Sequence, residues 1–184
     1  MQELAVDVLE KAAQGDLKAF EHIYKDCASF VYTVALRMVH KREDAQEITQ
    51  DVFVSVYKNL KHFEFRSSFK TWLYRITVNT ALNRCKRNHR QKTVTLDDHQ
   101  MQEVSFENPS LKSNVIGEDL VAHLLSCLNL DQRACVVLRN VEGLSYEEIA
   151  KSLNININTV RSRLKRAREQ MKDFFKKRGD PYDM

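Results

Sequence analysis

The chain reads GLSYEEIAKSLNININTVRSRLKRAR at residues 143–168. Ser145, with Glu148 three residues later, has the spacing of a capping box and predicts the start of a helix. The asparagine-rich stretch 154–158 predicts a turn, with Asn156 as the cap of a second helix. The apolar residues of the two helices are spaced to pack against each other, and they are Ile149, Ala150, Leu153, Val160 and Leu164. This pattern predicts a helix-turn-helix.

The second of these helices is strongly basic on the side that faces away from the first. Residues 151–178 contain ten Lys or Arg against two acidic residues. Arg can bond guanine through two hydrogen bonds in the major groove, and Ser, Thr or Asn can bond other base edges. We predict that this helix reads duplex DNA through Asn158, Thr159, Arg161, Ser162, Lys165 and Arg166.

The composition favours helices along the whole chain. Its 184 residues include only 4 Gly and 2 Pro, so helix breakers are scarce. Gly15 followed by Asp16 predicts the end of a short opening helix and the cap of the next one. Ser67 or Ser68 predicts the cap of a later helix that ends in a basic cluster. We predict an all-α protein with two small helical domains joined by a flexible linker.

The helical periodicity fades between Lys92 and Gly117, where polar and acidic residues are frequent. This change in composition predicts the linker and with it the domain boundaries. We expect an amino-terminal bundle over residues 1–91, the linker over 92–117 and the helix-turn-helix domain over 118–184.

Several classes of function are not expected from this sequence. The four cysteines lie far apart, with no paired spacing that would indicate disulfides or a metal site. No uncharged stretch approaches bilayer length, so we predict a cytoplasmic protein without membrane insertion. Clustered carboxylates and a His-based acid-base pair are both lacking, so we expect neither an enzyme nor a cofactor.

Aromatic and basic residues alternate in a second segment, 63–87. Single-stranded nucleic acid is bound by such mixtures, because bases stack on rings while cations follow the backbone. For Trp72 the alternative of plain core packing remains open. The set comprises Phe63, Phe65, Arg66, Ser67, Ser68, Phe69, Lys70, Thr71, Trp72, Tyr74, Arg75, Asn79, Asn83, Arg84, Lys86 and Arg87.

With these motifs the chain resembles bacterial extracytoplasmic-function sigma factors, the smallest promoter-recognition subunits of RNA polymerase in the sigma-70 family. The resemblance rests on Gly15-Asp16 with Phe20, on DAQEITQDVF at 44–53, on TWLYRITVN at 71–79, and on the helix-turn-helix. It implies a sigma region 2 domain in the first part of the chain and a sigma region 4 domain in the last. It also implies an anti-sigma factor as a partner.

The resemblance implies three binding surfaces. Region 2 would bind the clamp helices of core RNA polymerase through Asp44, Glu47, Gln50, Asp51 and Phe53. It would hold the melted minus-10 element through Phe63, Phe65, Ser67, Lys70, Trp72, Arg75, Asn79, Asn83, Arg84 and Lys86. Region 4 would lie near the polymerase flap and read the minus-35 element as duplex.

An alternative reading is a helix-turn-helix activator or repressor with an amino-terminal sensing domain. Such a domain would be expected to offer an apolar ligand cavity or a phosphorylatable acidic site. The amino-terminal part instead offers an acidic helix face and an aromatic-basic loop. Members of the resembling family often have Pro and Gly where this chain has Asn156 and Asn158, so the promoter sequence does not carry over.

Overall fold

A computed structural model describes residues 4–94 and 116–178. Within these ranges the regular structure is entirely helical, which confirms the all-α prediction. The helices are α1 (Val6–Ala13), α2 (Leu17–Val39), α3 (Arg42–Asn59), a short 3-10 helix (Leu60–His62), α4 (Phe69–Val94), α5 (Ile116–Ser126), α6 (Leu130–Glu142), α7 (Tyr146–Leu153) and α8 (Ile157–Arg178). Most of the predicted linker 92–117 lies outside the described residues, between the end of α4 and the start of α5.

The chain forms two compact units, Met1–Arg84 and Cys85–Met184, and the boundary between them falls within α4. In the first unit α2 packs against α3, while α1 lies against α2 and the 3-10 helix. The fully buried side chains of α2 and α3 recur at three- and four-residue steps, as the sequence predicts, and they include Ile23, Cys27, Val31, Val34, Met38, Ala45, Ile48, Val52 and Val56. Each large apolar side chain buried in this way contributes about 1.5–3 kcal/mol.

Two tyrosines lie where the sequence pattern does not put them. Tyr24 is spaced to lie on the same helical stripe as Cys27 and Val31, but 45% of it is exposed and its ring packs edge-on against Phe53 at 4.7 Å. Tyr74 belongs to the predicted nucleic-acid surface, but it is completely buried, with its ring 5.5 Å from that of Phe30. The prediction for Tyr74 is therefore wrong: this tyrosine is a core residue.

The predicted caps are present at the start of α2 and α4. The Asp16 carboxylate accepts hydrogen bonds from the backbone N–H groups of Lys18 and Ala19, at 2.8 and 3.1 Å. Gly15 has φ of +96°, which lets the chain turn between α1 and α2 without steric strain. Ser68 rather than Ser67 caps α4, since its Oγ accepts from the N–H of Thr71 at 3.1 Å.

Asp16→Ala is expected to lower the free energy of unfolding by about 1 kcal/mol, because two backbone donors at the start of α2 lose their acceptor. Asp16→Asn is the matched control, since asparagine caps helices equally well. Urea denaturation of the two variants, followed by circular dichroism, measures the difference. Equal stability of the alanine and asparagine variants would contradict a capping role.

In the second unit α6, α7 and α8 pack together. Of the predicted apolar residues, Ile149, Val160 and Leu164 are buried, and Ala150 and Leu153 are half-buried. Two capping boxes, Asn129 with Gln132 and Ser145 with Glu148, start α6 and α7. The second is the predicted one.

A buried arginine fixes the turn between α5 and α6. Arg133 is only 3% exposed, and its guanidinium donates to the carbonyl oxygens of Leu125 and Leu128, each at 2.9 Å. Burial lowers the pKa of Arg133 to about 10, so the group is still charged at neutral pH. The sequence analysis did not single out this residue.

Candidate nucleic-acid interface

The turn between α7 and α8 is built from asparagines. Asn154 ends α7 in the left-handed conformation, with φ of +51°, which asparagine adopts more readily than most residues. The N–H of Ile155 then donates to the carbonyl of Ala150 at 3.0 Å. Asn156 caps α8, as predicted, because its Oδ1 accepts from the N–H of Asn158 at 2.8 Å. The direction in which α8 starts is thus set by local hydrogen bonds.

The predicted reading residues share one face of α8, opposite the buried stripe. Asn158, Arg161, Ser162, Lys165 and Arg166 are exposed, while Thr159 is half-buried. The Arg161 guanidinium donates to the Asn158 Oδ1 at 3.2 Å, so the two side chains are already oriented together. The structure therefore groups these side chains at the amino-terminal half of α8, where a recognition helix meets base edges.

Other arginines of this unit hold the helices in place. Arg163 is mostly buried and donates to the Asp131 carboxylate at 2.9 Å, which links α8 to the start of α6. Tyr146, at the start of α7, has the Arg139 guanidinium over its ring at 5.4 Å and accepts from Arg168 at 3.1 Å. Sequence reasoning missed these contacts, because the partners lie up to 32 residues apart.

The aromatic residues of the predicted single-strand surface form one cluster around Phe63. Its ring centroid lies 4.7 Å from that of Phe65, 5.1 Å from Trp72 and 5.9 Å from Phe69. Phe69 is buried and Phe63 and Trp72 are half-buried, whereas 48% of Phe65 is exposed. Phe65 also has φ of +54°, a conformation that non-glycine residues rarely adopt. The cluster presents ring edges and faces at the surface of the first unit.

The polar members of this predicted surface differ in exposure. Ser67, Lys70, Arg75 and Asn79 are half-buried, and Asn83 and Lys86 are exposed. The Lys70 ammonium lies over the ring of Phe30, 5.6 Å from its centroid. All of them lie in α4 or in the loop before it.

Arg84 is the exception in this set. Its side chain is 18% exposed, and it forms ion pairs with Glu47 and with Asp51, the latter at 3.1 Å. Two carboxylates of α3 therefore neutralise the positive charge of Arg84, which was predicted to contact the melted DNA strand. In this structure Arg84 joins α4 to α3 and is not free for the strand.

The predicted polymerase-binding residues lie on the outer face of α3, with one correction. Glu47, Gln50 and Asp51 are exposed and Asp44 is half-buried, but Phe53 is 5% exposed and packs against Tyr24. Phe53 is therefore a core residue and not part of this face. Val54 lies three residues after Asp51 and is 53% exposed, so it adds apolar surface to α3 near these carboxylates.

Cys27, Cys127 and Cys135 have thiols that burial makes harder to ionise. Burial raises the pKa of the Cys27 thiol to about 11, and burial also raises the pKa of Cys127 and Cys135. Over residues 4–94 and 116–178 the structure brings together no three His, Cys, Asp or Glu side chains able to hold a metal. Among the helices of the same residues, none is both long and apolar enough to cross a bilayer.

Comparison with known families covers most of both units. "Sigma-70 region 2" matches residues 23–91 and "Sigma-70, region 4" matches residues 118–171. The chain is 34% identical over 167 residues to the ECF RNA polymerase sigma factor SigE of Mycolicibacterium smegmatis, covering 89% of this chain and 64% of that protein. It is also 34% identical over 179 residues to the RNA polymerase sigma-H factor of Pseudomonas aeruginosa, covering 91% and 92%. This chain belongs to the extracytoplasmic-function sigma factors.

The fold agrees with this assignment. A solved sigma factor RpoE from Bartonella quintana, in complex with the anti-sigma factor NepR, is similar with a TM-score of 0.63 and 24% identity, covering 86% of this chain and 98% of that one. As a sigma factor, the chain recognises promoters and acts in transcription initiation by RNA polymerase. An activator or repressor would not require a region 2 domain, so the alternative reading is not favoured.

Proposed function

We propose that the sigma factor divides promoter recognition between its two domains. Residues 1–91 would bind core RNA polymerase and the melted minus-10 element, and residues 118–184 would read the minus-35 element as duplex, with residues 92–117 as the linker. The observation that supports this division best is the exposed polar and basic face of α8, which is fixed by the buried stripe opposite to it. The factor would act in the cytoplasm, without catalysing a reaction of its own.

The α8 face fits the major groove in both chemistry and position. Arg161 and Arg166 can each bond a guanine through two hydrogen bonds, while Asn158 and Ser162 can bond other base edges. Lysines and arginines later in α8 would contact phosphates, which orient the protein without specifying sequence. Because Arg161 is already bonded to Asn158, little side-chain entropy is lost when both meet a base.

The aromatic cluster around Phe63 fits the unpaired minus-10 strand. Bases stack on exposed rings with about 1–3 kcal/mol per base, and Phe65 and Trp72 offer rings at the surface. Lys70, Arg75, Asn79, Asn83 and Lys86 lie along the adjacent helix and supply donors for phosphates and base edges. Arg84 would take part only if a partner displaced it from Glu47 and Asp51.

The outer face of α3 is the proposed site for core polymerase. Glu47 and Asp51 remain exposed although they pair with Arg84, and together they carry one more charge than it does, so the face favours a basic partner surface; Val54 adds apolar area beside them. Phe53 supports this face from the inside. An anti-sigma factor that covered the same face would keep the protein inactive, and the solved relative from Bartonella quintana was captured with such a partner.

Arg161→Ala is expected to weaken binding to the cognate minus-35 duplex by about 1–3 kcal/mol, because a bidentate base contact is lost. The cognate sequence must be identified first, by run-off transcription from a promoter library with core polymerase. The same experiment tests whether the protein acts as a sigma factor. Lys172→Ala, an exposed cation two turns beyond the reading face, is the control.

Fluorescence anisotropy with cognate and random duplexes measures both variants. The control is expected to lose affinity for the two duplexes equally, as a phosphate contact does. An equal loss for Arg161→Ala on both duplexes would show that Arg161 contacts phosphate and not a base.

A further inference from the structure

Two adjoining clefts lie along the carboxy-terminal half of α1. The first, of about 470 Å³, is formed by α1, the 3-10 helix and the loop that carries Phe63 and Phe65. The second, of about 370 Å³, is formed by the end of α1 and by Tyr57 and Lys58 of α3. The clefts share Ala13, Gln14 and Lys61, so they form one groove. Both clefts are open to solvent.

Each cleft is lined by one exposed aromatic residue. Phe65 lines the first cleft and Tyr57 the second, and 48% of each residue is exposed. Phe65 reaches this position through its left-handed backbone, which is unfavourable for a residue with a Cβ atom. Strained conformations of this kind concentrate at ligand sites. The ring of Phe65 also contacts Phe63, so the groove is continuous with the aromatic cluster proposed for the minus-10 strand.

The polar side chains of the groove are divided between its two walls. Glu10 lies on α1 and Gln14 directly follows it, near the end where the helix carbonyls give a negative potential. Lys58 and Lys61 lie on the opposite wall. Within the described chain the side chains of Glu10, Gln14 and Lys61 form no hydrogen bond or ion pair. A strand of nucleic acid would therefore lie with its phosphates toward the lysines and its base edges toward α1.

We propose that this groove binds two consecutive unpaired bases of the melted promoter strand, beyond the base held by the Phe63–Trp72 cluster. The Glu10 carboxylate accepts hydrogen bonds but cannot donate, and Gln14 pairs best with adenine. The first cleft therefore prefers a base with an exocyclic amino group (adenine, cytosine or guanine) over thymine. This inference rests on the proposed function, since it extends the same interface onto α1.

The test uses holoenzyme reconstituted from core polymerase and the full chain, with fluorescein-labelled oligo(dA), oligo(dC) and oligo(dT) as probes and core alone as background. The wild type is expected to bind oligo(dA) and oligo(dC) about tenfold more tightly than oligo(dT). The double variant Glu10→Leu/Gln14→Leu is expected to bind all three equally. The matched control, Asp7→Leu/Lys11→Leu, changes an exposed ion pair on the same helix outside the groove and is expected to keep the preference.

The ring of Phe65 is tested separately from its backbone. Phe65→Asn keeps a residue that tolerates positive φ but removes the stacking surface, so affinity for all three probes is expected to fall about tenfold.

In the Glu10→Leu/Gln14→Leu variant, removing Glu10 also takes away a negative charge, which by itself would strengthen binding to any oligonucleotide. A loss of preference in the double variant therefore cannot come from net charge.

The outcomes separate this inference from the proposed function. If Trp72→Ala weakens binding of the probes while the Glu10/Gln14 variant keeps the base preference, the groove proposal is overturned and the minus-10 surface stands. If the Glu10/Gln14 variant instead loses affinity for core polymerase with unchanged probe binding, the groove is a protein-docking site and the proposal is also overturned. If holoenzyme binds the probes no better than core alone does, both proposals fall.

Discussion

Tyr74→Ala is expected to lower the free energy of unfolding of the amino-terminal unit by about 4 kcal/mol. The side chain is completely buried, so the substitution removes a large apolar contact area and leaves a cavity beside Phe30. Tyr74→Phe keeps the ring and loses only the hydroxyl, and its expected cost is about 1 kcal/mol. Thermal and urea unfolding of the full chain, followed by circular dichroism, measures both.

Trp72→Ala is the informative comparison, because Trp72 lies two residues earlier in α4 and is only half-buried. It is expected to cost less stability than Tyr74→Ala while impairing promoter opening, since a stacking surface at the aromatic cluster is lost. Permanganate reactivity of the melted region reports opening. A Tyr74→Ala protein of normal stability that fails to open promoters would mean that Tyr74 contacts the strand after all.

Arg133→Met is expected to destabilise the carboxy-terminal unit by about 3 kcal/mol. The carbonyl oxygens of Leu125 and Leu128 each lose a charge-assisted hydrogen bond in a buried turn where water does not replace it readily. Arg133→Lys keeps the charge but not the fork of donors, so an intermediate loss is expected. Arg161→Met, at an exposed position of α8, is the control and should stay within about 0.5 kcal/mol of the wild type.

Amide hydrogen exchange in α5 and α6 locates this effect, because exchange there should quicken in Arg133→Met and not in the control.

The stability that Arg133 contributes depends on pH with a defined sign. Burial lowers the pKa of Arg133 to about 10 in the folded chain. Between pH 10 and the higher pKa of the unfolded chain, the unfolded chain therefore binds more protons than the folded one. In that range the free energy of unfolding rises with pH. Well below pH 10 Arg133 is charged in both states and contributes no pH dependence. If the Arg133→Met protein were as stable as the wild type at pH 7, Arg133 would have no structural role in this turn.

Arg84 shows how the two proposed surfaces of region 2 are connected. It belongs by sequence to the basic cluster after the aromatic segment, yet it is bound by Glu47 and Asp51 of the proposed polymerase-binding face. The two ion pairs fix the positions of these carboxylates and link α4 to α3. The charge pattern of the sequence overstates how much positive charge the first unit offers to DNA, because this arginine is already paired.

The sequence by itself determined the helical character of the chain, several of the helix caps and the helix-turn-helix. The hydrogen bonds of Asp16, Ser145 with Glu148, and Asn156 join residues two or three positions apart, so they are visible in local spacing. The apolar stripes of α2, α3 and α8 are equally local, since a helix repeats every 3.6 residues. The exposed face of α8 followed from the same periodicity.

Only the tertiary structure decided which side chains near the interface are buried or paired. Phe53 and Tyr74 lie in polar or aromatic-basic segments, and neighbouring helices cover them. Arg84 meets carboxylates 33 and 37 residues earlier in the chain. The groove beside α1 combines residues 9–14 with residues 57–65. These features depend on how helices pack across long sequence separations, a geometry that helical periodicity does not encode.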